Sequence, residues 1–201
     1  MFFNNRKNTK VNFVPDKIRA EFEQALIHAN KKEIFRLIKK YKIDCNGFID
    51  NENNNPILQK ALTVLNQYRD TPDQLTIINY LLENGANPNI KNREGYNSLH
   101  VSLSDHSLSK VSLLLIEKGN IDVNAQDENG NNLIFIAIRE YGKTWRPDQK
   151  NINDLRYQII EKLLNKGADL DLLNNHGINS RRWLEISNDQ KLKALIKNFD
   201  Q

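Results

Sequence analysis

The stretch Leu81-Leu82-Glu83-Asn84-Gly85-Ala86-Asn87-Pro88-Asn89 decides the architecture, because it recurs. It returns as Leu115-Ile116-Glu117-Lys118-Gly119-Asn120-Ile121-Asp122-Val123-Asn124 and as Leu163-Leu164-Asn165-Lys166-Gly167-Ala168-Asp169-Leu170-Asp171. A looser copy, Leu37-Ile38-Lys39-Lys40-Tyr41-Lys42-Ile43-Asp44-Cys45-Asn46, has Tyr41 where the others have glycine. A second block follows each copy: Asn92-Arg93-Glu94-Gly95-Tyr96-Asn97-Ser98-Leu99-His100, then 127–135, then 174–180, and a glycine-less version over 50–58. Self-similarity of two linked blocks is the mark of a repeat architecture, in which each unit buries its apolar face against the next.

Between the blocks the apolar residues fall at helical spacing: Ile77, Ile78, Leu81 and Leu82 in one unit, Val111, Leu114 and Leu115 in the next, Ile159, Ile160, Leu163 and Leu164 in the third. The glycine after each of these helices is expected to supply a left-handed C-cap that releases the chain into a hairpin. Asparagine, with 30 of the 201 residues, clusters in the connections, where it accepts left-handed angles and bonds its own backbone.

The chain resembles the ankyrin repeat, whose period is about 33 residues and whose first helix opens on Thr-Pro-Leu-His. Asn55, Asn97, Asn132 and Asn179 stand where that family has threonine and are read as N-caps, Pro56 keeps the proline, and His100 keeps the histidine. The expected fold is an all-α repeat solenoid over residues 18–201, behind an N-terminal extension over 1–17. Five stacked helix-turn-helix units with hairpin loops are expected, near 18–46, 47–89, 90–124, 125–171 and 172–201, the outer two serving as caps. Lys31, Lys32, Lys39, Lys40 and Lys42 in the first, and Arg181, Arg182, Lys191, Lys193 and Lys197 in the last, read as the solvated faces that caps need. In the extension, Phe2, Phe3, Phe13 and Val14 either pack over unit one or form a mobile tail, and Pro15 marks where the first helix begins.

Units two and four are long, with the surplus between their two helices: Tyr68-Arg69-Asp70-Thr71-Pro72-Asp73, and Tyr141 to Asn153. Insertions at equivalent points of a solenoid project on one face. The longer one holds Trp145 beside Arg146, types enriched at binding hot spots, although Trp145 also suits a cap over lengthened helices.

Chemistry is scattered. His28, His100, His106 and His176 share no metal-ligand spacing, and Cys45 aligns with Val123 and reads as a small buried hydrophobe. Neither GxGxxG nor GxxxxGK[ST] occurs, so no catalytic, metal or cofactor site is expected. A single cysteine excludes an internal disulfide framework and fits a reducing, cytoplasmic address. No run approaches the roughly 18 apolar residues of a membrane helix, and no Sec-type signal opens the chain. Lys plus Arg is 29 against 25 Asp plus Glu, a net +4 concentrated in the caps, which argues against a nucleic-acid stripe.

What the resemblance implies is protein binding, at hairpin tips and along the first helices. By position that surface is Asn51, Glu52 and Asn54; Arg93, Glu94 and Tyr96; Glu128, Asn129 and Asn131; Asn175, His176 and Ile178. Asp105, Arg139 and Glu140 form the helix rim, and Trp145 and Arg146 the insert. Tyr96 and Arg139 are the expected anchors, with packing of Tyr96 between hairpins as its other reading. The expected partner is a protein, a cognate toxin or effector enzyme neutralised in a one-to-one complex as by bacterial immunity proteins, with this chain monomeric when free. A secreted bacterial effector or a viral protein that binds a host protein, and an assembly scaffold, are the alternatives.

Overall fold

The computed structural model describes residues 12–52, 54–186 and 188–199; Phe2, Phe3 and the rest of the first eleven residues lie outside these. Among the described residues there are ten α-helices and no strand: α1 (Asp16–Ile27), α2 (Lys31–Tyr41), α3 (Ile57–Lys60), α4 (Pro72–Glu83), α5 (Ser98–Leu103), α6 (Ser109–Lys118), α7 (Leu133–Tyr141), α8 (Lys150–Asn165), α9 (Ser180–Ile186) and α10 (Gln190–Lys197). They form two layers. First helices stack as α1 on α3, α3 on α5, α5 on α7 and α7 on α9, and second helices as α2 on α4, α4 on α6 and α6 on α8. This is the helical repeat solenoid that the repeats predict.

The apolar residues at helical spacing form its continuous interior. Ile77, Ile78 and Leu81 of α4, Val111, Leu115 and Ile116 of α6, and Ile159, Ile160 and Leu163 of α8 are all buried. Each such side chain contributes about 1.5–3 kcal/mol on burial. Cys45 lies in the same core.

Helix starts follow local chemistry. Asn97 accepts from His100 N at 2.9 Å, Asn132 from Phe135 N at 3.0 Å and Asn179 from Arg182 N at 3.0 Å. Asn55 does not take that role. In unit two the helix opens one residue later, with Pro56 at the cap position and no side chain capping it. Ile57 N donates to Gly47 O as Ser98 N donates to Pro88 O, so Pro56 matches Asn97 and Gln59 matches His100. Gln59 then does what the histidine position does, reaching the next hairpin through Nε2 to Ile90 O at 3.0 Å and Tyr96 O at 2.8 Å.

Helix ends correct another expectation. Gly85 and Gly167 adopt φ of 91° and 82°, as a left-handed cap requires, but Gly119 does not. The copies over 37–46 and 115–124 are one residue longer, and the left-handed position moves one step on, to Lys42 at φ 51° and Asn120 at φ 46°. Tyr41 therefore replaces glycine without strain, because the turn is not made there.

The hairpins share one construction. Asn92 Oδ1 accepts from Glu94 N and Tyr96 N, Asp127 Oδ1 from Asn129 N and Asn131 N, and Asn174 Oδ1 from His176 N and Ile178 N. Other asparagines tie unit to unit. Asn46 Oδ1 accepts from Asn87 N at 3.0 Å, Asn89 Oδ1 from Asp122 N at 2.8 Å and Asn124 Oδ1 from Asp169 N at 2.8 Å. The second-helix layer is tied differently, by lysines: Lys31 to Asp73 at 2.7 Å, Lys118 to Asn79 Oδ1 at 2.7 Å, and Lys162 to Glu117 at 2.8 Å.

Before α1, Val14 N donates to Phe48 O and Phe48 N to Asn12 O, both at 2.9 Å, with the Phe13 and Phe48 rings 6.3 Å apart. Residues 12–14 thus pack on the hairpin that opens unit two, Val14 is buried, and Pro15 stands at the N-cap position of α1 without a side-chain cap bond.

Candidate functional site

The seventeen residues singled out in the sequence separate into three places. The hairpin row holds Asn51, Glu52, Asn54, Arg93, Glu94, Glu128, Asn129, Asn175 and His176, all exposed. Arg93, Glu94 and Glu128 line a polar groove of about 560 Å³ with Asn55 and Asn92. Adjacent hairpins touch: Asn175 N donates to Asn129 O at 2.9 Å and Asn175 Nδ2 to Glu128 O at 2.8 Å. Gly130, at φ 75°, sits where a Cβ would meet Asn175 N at 2.8 Å, so only glycine fits that contact. Three members depart from the expected exposure, Ile178 being half-buried. Asn131 is 9% exposed, its Oδ1 accepting from Asn174 Nδ2 at 2.9 Å. Tyr96 is half-buried, its ring 6.1 Å from that of His100, and its carbonyl receives Gln59.

The second place is a polar cluster around Glu140; Asp105 and Arg139, expected beside it on the helix rim, are half-buried. Glu140 is 4% exposed, not a surface charge, because α7 is covered by α5, α8 and α9. Its carboxylate takes Lys143 Nζ at 2.7 Å, Arg139 Nε at 3.0 Å and His106 Nε2 at 3.3 Å. Burial pushes Glu140 upward, but Lys143 and Arg139 outweigh it and hold the carboxyl below its ordinary range. Asp105 pairs with Arg69 of the unit-two insert and accepts from Ser107 N at 2.9 Å. Burial again opposes, and the Ser107 bonds with Arg69 and Arg156 bring its carboxyl below normal.

Arg156 of α8 lies beneath these acids with no exposed surface, its Nη1 donating to Leu103 O at 2.6 Å. Burial lowers it to about 10, against the opposing pull of Glu140, Asp105 and Asp70. Nothing in the sequence pattern marks Arg156, whose hydrogen-bond partner Leu103 lies in the preceding unit, or Asp70, whose partners lie in the following one.

The unit-two insert thus faces inward. Asp70, at φ 53°, accepts from Lys110 N at 2.8 Å and Val111 N at 2.9 Å, which caps α6 of the following unit. Exchange of Asp70 for alanine removes that cap and is expected to lower stability by about 1–2 kcal/mol. Urea unfolding of the two proteins at pH 7 measures it, and an unchanged midpoint refutes the cross-unit cap.

The third place is the unit-four insert. Thr144 Oγ1 donates to Tyr141 O at 2.7 Å and Asn153 Nδ2 to Thr144 O at 3.1 Å, so the segment is braced on its own unit. Trp145 nevertheless projects, 77% exposed, and does not cap helix ends. Arg146 is exposed beside it. Arg139 and Trp145 meet Trp183 of α9, together with Tyr141, Lys143 and Asp189, around a groove of about 710 Å³. Trp183 was missed by sequence reasoning, although it is one of only two tryptophans in the chain.

His100, buried, completes a reciprocal cap with Asn97, and its ring faces the next hairpin at Ala125 and Asn131. Among the described residues no three His, Cys, Asp or Glu side chains are grouped to hold a metal ion, and no helix is long and apolar enough to cross a membrane.

Paired helices in two stacked layers, with hairpins that tie each unit to the next and leave their tips in solvent, define a repeat array of the protein-binding class. A family model of ankyrin repeats in three copies matches residues 69–174, and the chain belongs to the ankyrin-repeat family, a protein-interaction module. The human transient receptor potential cation channel subfamily A member 1 is 33% identical over 149 residues, 71% of this chain and 12% of that protein. Palmitoyltransferase AKR1 of Lachancea kluyveri is 26% identical over 125 residues, 61% of this chain and 15% of that protein. The E3 ubiquitin-protein ligase KEG of Arabidopsis thaliana is 32% identical over 131 residues, 62% of this chain and 7% of that protein. The chain spans a small fraction of each relative, and the three names describe three different activities.

Proposed function

We propose that this chain binds a cognate toxin or effector enzyme in a one-to-one complex and silences it, acting in the cytoplasm as an immunity protein that is monomeric when free. The observation that carries the reading is Trp145, a large apolar side chain 77% exposed on an insert braced by Thr144 and Asn153. An exposed indole on a braced segment gains by burial at an interface, where little backbone ordering remains to be done. The exposed hairpin charges Arg93, Glu94 and Glu128 supply both signs for steering and selecting that partner.

The test is capture of partners on the intact chain from its native cells, followed by assay of each captured enzyme with and without stoichiometric chain. A captured enzyme that loses activity at one equivalent supports the reading. Partners that bind and keep their activity overturn inhibition and leave scaffolding or host-protein engagement in its place.

A further inference from the structure

The positive charge of the chain is gathered at one end. Residues 1–46 carry 11 Lys and Arg against 5 Asp and Glu, a net +6, while residues 47–201 carry 18 against 20. The acids of this end are taken up: Asp16 by Arg19, Glu21 and Glu33 together by Arg36, Glu23 by Lys60 of α3, and Asp44 by the Asn12 amide at 2.8 Å. From α4, Asp73 reaches Lys31, and Glu83 accepts from Asn79 at 2.8 Å. With Lys60, Asp73 and Glu83 counted in, residues 12–46 and their neighbours still hold nine cations against seven acids. Lys17, Lys32, Lys39, Lys40 and Lys42 are exposed and make no ion pair among the described residues. They share one surface. Lys32, Lys39 and Lys40 follow one another at i, i+7 and i+8 along the solvent side of α2, and Lys42 stands at its end. Lys17 of α1 joins them, because its ammonium and that of Lys40 both lie over the Tyr41 ring, at 5.0 and 5.1 Å.

We propose that this lysine face docks the chain on an anionic lipid surface. The five cations without an ion pair are all lysines, while the arginines beside them, Arg19 and Arg36, are committed to carboxylates. Fixed carboxylates on a protein, or the phosphates and bases of a nucleic acid, select the planar fork of arginine, whereas lysine is a point charge on a flexible stem. A fluid sheet of headgroups asks only for density of charge, and four to eight basic residues on an amphipathic helix supply it. Apolar side chains accompany the charge. Phe13, 41% exposed, stands just before α1, and the first eleven residues hold Met1, Phe2 and Phe3 together with Arg6, Lys7 and Lys10 and no acid. Basic residues beside aromatic ones are the two signals that stable attachment at a bilayer interface needs. An acidic protein or a nucleic acid would use the first signal and not the second. The lysine face lies in the first unit and Trp145 in the fourth, so the assignment stands apart from the protein-binding reading.

Flotation of the full-length chain with vesicles tests it, using phosphatidylcholine alone and phosphatidylcholine with one part in three phosphatidylserine. Binding to the second and not to the first is expected, and it should fall as added salt screens the surface. A lysine at such a surface is worth about fivefold in partition, so Lys39→Gln with Lys40→Gln should lower binding by about tenfold or more. Phe2→Ser with Phe3→Ser should lower it as well while leaving its salt dependence in place. The control, Lys110→Gln with Lys166→Gln, removes the same charge from exposed positions of later units and should leave binding almost unchanged. Thermal unfolding of each variant is run alongside to show that the fold is intact. Equal binding to neutral vesicles, no binding to either kind, or an equal loss in the control overturns the proposal. So does capture of an acidic protein or of RNA that the Lys39 and Lys40 variant abolishes while vesicles stay unbound, since that partner would then be the occupant. Vesicle binding with no captured enzyme inhibited removes the immunity reading and keeps the lysine face. Inhibition by a chain that binds no vesicle does the opposite.

Discussion

Arg156→Met is expected to lower the unfolding free energy by about 3–5 kcal/mol, the largest single effect in the molecule. A buried arginine is not stabilising in itself, since its guanidinium has lost its water, and Nε and Nη2 make no hydrogen bond to protein groups. If all its acidic neighbours were replaced along with it, an apolar side chain of similar volume would be tolerated. Here only one partner is removed. Glu140 and Asp105 remain, Asp70 remains, and Leu103 O loses its 2.6 Å donor. The penalty is then that of buried Glu140 and half-buried Asp105 and Asp70 with less compensation, and it exceeds the hydration recovered. Urea unfolding at neutral pH measures the change. The double variant Arg156→Met with Glu140→Gln should recover part of it, and strict additivity of the two substitutions would show that the charges do not communicate.

Acid is the second large perturbation. Burial lowers His100 from 6.5 to about 4, so the folded protein resists a proton that the unfolded chain accepts. Above pH 6.5 neither state is charged and the full stability is present. As pH falls from 6.5 toward 4, only the unfolded state gains the proton, and stability falls by about 2–3 kcal/mol. Carboxylates held below their ordinary range, Glu140 and Asp105 among them, begin to cost stability only under pH 4.5, a separate window. Unfolding midpoints at pH 7 and pH 4.5 should therefore differ sharply for the parent and much less for His100→Gln, which keeps an amide able to bond Asn97 and carries no titration. Equal slopes for the two proteins would place the acid sensitivity elsewhere.

Much of this is written in the sequence one unit at a time. Helical spacing, the caps at Asn97, Asn132 and Asn179 and the glycines at 85 and 167 depend on neighbours a few residues away, and all behave as their types dictate. Unit two was misread by one residue because its hairpin lacks glycine, and the asparagine run offers no fixed point from which to count to Pro56. The contacts that were not legible run between units. Asp70 capping α6, Gln59 reaching the next hairpin and Trp183 joining Trp145 each depend on how far one helix pair is displaced along the next, which no local pattern records. Glu140 looks like any surface acid at the end of a helix. Its burial follows from the insert folding Lys143 over it while two flanking units close on α7.

The two modes of stitching make the array mechanically unequal across its width. Along one edge, Asn46, Asn89 and Asn124 hold successive units through neutral amide-to-backbone bonds that ions in solution barely affect. Across the second-helix layer, the ties run through lysine ammonium groups, at exposed positions where salt shortens the reach of charge to about 8 Å at physiological strength. Such ties add little to the free energy of folding, yet they set how easily the layer stretches. Added salt slackens one side of a strip whose other side keeps its length, so the array is expected to flex as a hinge-backed ribbon does, changing curvature with ionic strength while every helix stays folded.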